Sequence, residues 1–206
     1  MFTWLPQPQI PNPPQRFIDQ ALRAATNYGD FQNTALNQLD PKYKNRKLIK
    51  DGQRTNSRMQ YGIDLGKDWQ DWVCNNIMDD YISTGARVSV GENTTTHGAH
   101  CDSWIEGKPC YKLYFLVDRG GDRAVTCFFR QKGQPLERQG TLENIVYVDD
   151  YDQLDVIDEV RFPMQQWILF NPNILHGVEN VTSARTNLVV IFNDASIKVL
   201  FQRSIK

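Results

Sequence analysis

Two stretches of this chain carry apolar residues at helical spacing, and a longer region carries them in short runs. From Phe17 to about Thr26, the residues Phe17, Ile18, Ala21, Leu22 and Ala25 recur every three or four positions and Gly29 closes the run. That spacing predicts an amphipathic helix. Lys67 to Ile82 repeats the pattern with Trp69, Trp72, Val73, Ile77 and Tyr81, ahead of Gly85. Beyond Gly85 the chain turns to β-branched and aromatic runs separated by turn residues. The runs are about Arg87–Val90, His100–Ile105, Tyr111–Val117, Ala124–Arg130, Asn144–Val148, Val160–Met164, Trp167–Asn171 and Arg185–Asn193. Gly120-Gly121-Asp122 and Asn171-Pro172-Asn173 punctuate them. Eight short strands of this kind predict a mainly β sandwich or barrel, a jelly roll, with the two N-terminal helices flanking a sheet.

Pro6, Pro8, Pro11, Pro13 and Pro14 make the start of the chain extended, and Asn12 before Pro13 and Pro14 is a helix-start signal. The expected organisation is one domain over 206 residues: a Pro-rich arm (1–14), a helical flank (15–85), a jelly-roll core (86–193) and a C-terminal tail (194–206).

Composition adds boundaries to this picture. Hydrophobic residues at 40% and charged residues at 23% suit a soluble globular chain. No apolar run approaches the ~18 residues of a membrane span. Met1-Phe2-Thr3-Trp4-Leu5-Pro6 does not read as a signal peptide, so a cytoplasmic location is expected. Cys74, Cys101, Cys110 and Cys127 form no CxxC pair and read as reduced thiols. A net charge of −1 exerts no general pull on a polyanion. Lys42, Lys44, Arg46, Lys47, Lys50, Arg54 and Arg58 do cluster, and read as a solvated loop or helix face, with a nucleic-acid contact the lesser reading.

Candidate chemistry centres on the three histidines, His97, His100 and His176. Residues two apart on a strand face the same side about 6.8 Å from each other, so His100 and Asp102 can converge on one ion. A histidine from a neighbouring strand would complete a 2-His-1-carboxylate facial set that leaves positions open on Fe(II), and His176 stands downstream. His-x-Asp is common by chance, so context has to carry the weight. The run Trp167-Ile168-Leu169-Phe170 leads through a Pro turn to His176-Gly177-Val178, and Arg185 follows nine residues later, opening the apolar strand Leu188-Val189-Val190-Ile191-Phe192. An inward-facing guanidinium needs an anion. A dicarboxylate could give one end to Arg185, contributing about 1.5–3 kcal/mol, and chelate iron with the other. His97 offers an HxxH alternative with His100 but is expected to line a pocket or the surface. Cys101 should point away from the two ligands, and Arg87 and Lys112 can face either side.

From about Arg87 to Phe192 the chain resembles the Fe(II)- and 2-oxoglutarate-dependent oxygenase superfamily, in motif style its prolyl-hydroxylase-like branch. The resemblance rests on His100-x-Asp102, the strand Tyr111-Lys112-Leu113-Tyr114-Phe115-Leu116-Val117, the pair Gly120-Gly121, the segment from Phe170 to His176-Gly177-Val178, and Arg185. It implies a double-stranded β-helix, a metal held by His100, Asp102 and His176, 2-oxoglutarate bound through Arg185, and O2 used to hydroxylate a substrate with release of succinate. A tyrosine from the strand after His-x-Asp often contacts the cosubstrate; Tyr114 is the candidate, with Phe115 the alternative register. Asn187 stands where many relatives carry Ser or Thr. The substrate implied is a prolyl or other peptide residue or a small molecule, with nucleic acid a lesser alternative. The rival reading is a cupin-like metal-binding jelly roll that isomerises, hydrolyses or binds without oxygen chemistry. Arg185 separates the two, because such a protein has no need of it.

Overall fold

A computed structural model describes residues 2–4, 10–26, 47–56, 59–90, 95–102, 104–105, 108–133, 145–193, 196 and 200. In chain order the elements are β1 (Phe2–Trp4), α1 (Gln15–Thr26), β2 (Lys47–Lys50), β3 (Gln53–Asn56), β4 (Met59–Ile63), α2 (Lys67–Asn76), β5 (Ser83–Val90), β6 (Thr95–Asp102) and β7 (Trp104–Ile105), then β8 (Lys108–Asp118), β9 (Val125–Gln131), β10 (Ile145–Val148), β11 (Leu154–Val160), β12 (Trp167–Phe170), β13 (His176–Val181) and β14 (Arg185–Asn193).

The fold is mainly β, built on two antiparallel sheets. One has the order β1-β12-β8-β14-β5-β4, with β7 on β8; the other is β10-β6-β13-β9-β11. From β5 onward the chain repeatedly crosses between sheets, and strands distant in sequence become neighbours: β14 lies between β5 and β8, and β13 between β6 and β9. That crossing is jelly-roll-like.

Side-chain parity explains how the larger sheet is buried on both faces. Leu113, Phe115 and Val117 of β8, Trp167 and Leu169 of β12, and Leu188, Val190 and Phe192 of β14 pack with Phe17, Ile18 and Ala21 of α1 and Trp69 and Val73 of α2. The alternate residues Leu116, Ile168 and Phe170 pack with Phe128 of the smaller sheet. A strand covered by helices on one side and a sheet on the other needs apolar residues at nearly every position, which is why β14 reads as an unbroken run. Trp69 anchors the helical side. It is fully buried, packs edge-on to Phe17, and its Nε1 donates to Thr84 Oγ1 at 2.7 Å.

α1 agrees with its periodicity, whereas α2 stops six residues short of the expected Ile82. The N–H groups of Ile77 and Met78 both donate to the Val73 carbonyl, closing the last turn, and Ile82 N already donates to Ile191 O of the sheet. Tyr81 continues the helical spacing because it packs on the same core without being helical.

Three further expectations are corrected. The segment assigned to the helical flank contains β2, β3 and β4. The basic stretch is a hairpin over its described part: Asp51 and Gly52 take left-handed conformations, φ 53° and 70°, as a two-residue turn requires. Its tip is held by the Asp152 carboxylate, which accepts from both N–H groups at 2.9 Å. A strand over Val160–Met164 is replaced by β11, which ends at Val160. β11 lies at a sheet edge with a register shift between Val156 and Asp158, and leaves Val156 and Ile157 exposed, so it carries no alternating signature. β1 and β13 also lie where no strand was expected.

Candidate active site

The inner faces of the two sheets enclose a cleft with about 540 Å³ of empty space, part of it open to solvent. His100, Thr126, His176 and Val178 line it from the smaller sheet; Ser89, Tyr114, Leu116, Ile168, Phe170, Arg185 and Asn187 line it from the larger, and Phe162 from the segment after β11.

His100 on β6 and His176 on β13 are direct cross-strand partners. Their ring centroids lie 4.4 Å apart and both residues are buried. Each Nδ1 lies 2.7 Å from the carbonyl oxygen two residues earlier, Gly98 O for His100 and Ile174 O for His176. A carbonyl can only accept, so each Nδ1 carries the proton and the lone pair of each neutral ring sits on Nε2. This outer hydrogen bond is how metal-ligating histidines are commonly oriented. The pair therefore fits an ion that takes two imidazole nitrogens. Phe170 packs edge-on against the His176 ring at 4.6 Å and holds it from the larger sheet.

Asp102 closes β6, two residues beyond His100 and opposite Ile145 of β10. Its side chain, like that of His97, lies outside the described residues. Among the described residues no group of three or more His, Cys, Asp or Glu gathers around one point.

Arg185 opens β14 opposite Ser89 of β5, is 9% exposed, and faces the same cleft as the histidines. Its Nη1 donates to Arg119 O at 3.2 Å. That carbonyl is presented by the Gly120–Gly121 turn, which Gly120 O fastens to the next loop by accepting from Thr182 N and Ser183 N. The Arg119 side chain reaches the other way and donates to Phe162 O through Nε and Nη2. One turn thus ties Arg185 to a wall of the cleft.

Of the two β8 candidates, Tyr114 lies in the cleft and Phe115 on the helical face against Trp167. Asn187 lies in the cleft two residues beyond Arg185, and its Oδ1 is buried without a hydrogen-bond partner, as is Thr126 Oγ1 on β9. Sequence reasoning missed Thr126. It stands in the run Thr126-Cys127-Phe128-Phe129, whose two alternating sets are equally plausible inward faces.

No protein-family profile matches the chain, and no curated protein matches it in sequence. Solved structures with a similar arrangement include AviO1 from Streptomyces viridochromogenes Tue57, at 13% identity over 90% of this chain and 87% of that one, with a TM-score of 0.43. EvdMO1 is similar at 13% identity over 90% of this chain and 46% of that one, TM-score 0.45. A Pseudomonas putida prolyl-4-hydroxylase is similar at 9% identity over 84% of this chain and 86% of that one, TM-score 0.40. Similarities at this level assign neither fold nor chemistry to this chain.

Proposed function

We propose that this protein is an Fe(II)- and 2-oxoglutarate-dependent oxygenase with a double-stranded β-helix core. The observation that carries the reading is the shared cleft: two histidines with Nδ1 bonded to backbone carbonyls, 4.4 Å apart, and a mostly buried arginine facing them. His100 and His176 would hold the metal through Nε2, with Asp102, on the same strand as His100, as the carboxylate of the facial set. Bound iron supplies, with 2-oxoglutarate and O2, oxidative decarboxylation to succinate and hydroxylation of a substrate.

The chain's own groups then have separable tasks. Arg185 binds the distal carboxylate of the cosubstrate, a charge-assisted contact made by a largely buried guanidinium. Tyr114 supplies a phenolic hydroxyl on the same side of the cleft. Leu116, Ile168, Phe162 and Phe170 form an apolar wall that limits solvent access. A cupin-like isomerase, hydrolase or binding protein would give Arg185 no such role. The substrate class favoured is a peptide residue, prolyl among them, or a small molecule.

The experiment is anaerobic addition of Fe(II) and then 2-oxoglutarate, monitored for the visible charge-transfer band of the chelate, followed by air and a succinate assay. A band and succinate are expected. A protein that binds iron but gives neither is not an oxygenase of this type.

A further inference from the structure

The cleft face of the larger sheet carries a second arginine that the proposed site does not use. Arg87 on β5 is two residues from Ser89, which lines the cleft, and the pairing of β5 with β14 runs without a register shift. Arg87 therefore projects to the cleft side, opposite Asn187. On its other flank it is opposite Gly62 of β4, the strand at the sheet edge.

Its surroundings are unusual for an arginine in a sheet. Arg87 is half-buried, and its side chain makes no hydrogen bond or ion pair with any described residue. Its guanidinium lies across the backbone of Gly62, where a Cβ would overlap Nη1 and touch Cζ at 3.4 Å. The absence of a side chain at Gly62 leaves room for the guanidinium in this position; an alanine there would make it shift. Asn187 Oδ1, a potential acceptor on the neighbouring strand, is buried without a partner. The guanidinium thus lies towards the β4 edge of the sheet, and among the described residues no acceptor engages it.

We propose that Arg87 is a substrate-binding residue that receives a carboxylate or phosphate of the molecule to be oxidised. The inference rests on the oxygenase reading and adds to it the substrate's chemical class: an oxyanion-bearing compound seated over β4 and β5. Arg185 lies deeper, opposite Ser89, and Arg87 flanks it nearer the sheet edge. The two arginines hold two different anions, the cosubstrate's and the substrate's. Planar bidentate pairing suits a guanidinium to either oxyanion.

The test uses the full chain with Fe(II) and 2-oxoglutarate. The probes are carboxylic acids and phosphomonoesters, each paired with its methyl ester or unphosphorylated parent. Succinate release is read on admitting air, and the Arg87 Nε–Hε resonance is followed by NMR without turnover. Acids of one of the two kinds are expected to shift that resonance and to speed succinate release more than their neutral partners. Arg87→Gln should raise KM for such an acid about ten- to hundredfold, with Arg87→Lys recovering part of it. Gly62→Ala, which pushes the guanidinium off its bed, should weaken the same preference. No shift with either acid class, or an acid preference that survives Arg87→Gln, overturns the inference. So does an equal loss of 2-oxoglutarate affinity in Arg87→Gln, which would assign Arg87 to the cosubstrate. A wild-type protein lacking the charge-transfer band would instead overturn the oxygenase reading.

Discussion

Gly120 lies directly against Arg185: a Cβ on residue 120 would stand 2.8 Å from Arg185 Cβ and 2.6 Å from Val181 Cγ1. Gly120 also takes φ 82°, a conformation that side chains rarely adopt. The glycine that turns the chain after β8 is therefore also the surface against which the cleft arginine is packed.

Gly120→Ala should consequently cost both stability and cosubstrate affinity. About 1–3 kcal/mol is expected from backbone strain together with the clash. Gly133 is a control, since it shares a positive φ of 85° but has nothing within 4 Å of a would-be Cβ. Denaturant titration of both alanine variants separates the two contributions. Equal losses would mean that contact with Arg185 contributes nothing.

Arg185→Ala is expected to weaken 2-oxoglutarate binding by about ten- to hundredfold while leaving iron affinity nearly unchanged. Arg185→Lys should fall between, because an ammonium keeps the charge and loses the planar fork. Titration of the charge-transfer band measures both. Parallel loss of iron and cosubstrate would make Arg185 a structural residue.

Lys50 ties the β2–β3 hairpin to the outer face of the smaller sheet through a 2.7 Å ion pair with Glu179, three residues beyond His176. The Glu179 side chain is only 11% exposed, while that of Lys50 is 46% exposed. Lys50→Met removes the cation from beside a largely buried carboxylate. Half-exposure of the lysine reduces the effect, so about 1 kcal/mol of destabilisation is expected. The double variant Lys50→Met, Glu179→Gln should be less destabilised than the sum of its parts, as a double-mutant cycle would read out.

Cys127 lies behind the site, opposite Gly177 on β13, and burial, with Glu179 and Glu159 adding repulsion, pushes its thiol up to about 12 from an ordinary 9.0. A folded-state value above the unfolded one means the associated stability is complete below about pH 9 and is lost as pH rises towards 12. Stability should therefore fall through that window. Cys127→Ala should flatten the fall by up to one proton's worth of slope, seen in denaturation curves at several alkaline pH values. At neutral pH the thiol should resist alkylation in the folded protein.

The local features were legible in the sequence because short-range physics decides them. α1 follows from its 3.6-residue apolar period, the turn at residues 120–121 from paired glycines, and the strands β8, β12 and β14 from β-branched and aromatic runs. Asp51-Gly52 is a two-residue turn signal of the same local kind, set within a run of basic residues. Edge strands such as β11 were not legible, because a strand that pairs on one side and leaves apolar residues in solvent has no alternation to read.

Which residues meet was decided only by the tertiary structure. Residues 100 and 176 become cross-strand partners because β13 is inserted between β6 and β9, and no local pattern encodes that crossing. The choice of Tyr114 over Phe115 for the cleft, and of Thr126 over Cys127, likewise follows from which face of each strand meets the other sheet and which meets a helix. A strand of period two always offers two faces. The sequence by itself named candidate ligands and a candidate arginine; the packing of the helices on one face of the larger sheet assigned Arg185, Asn187 and Arg87 to the other.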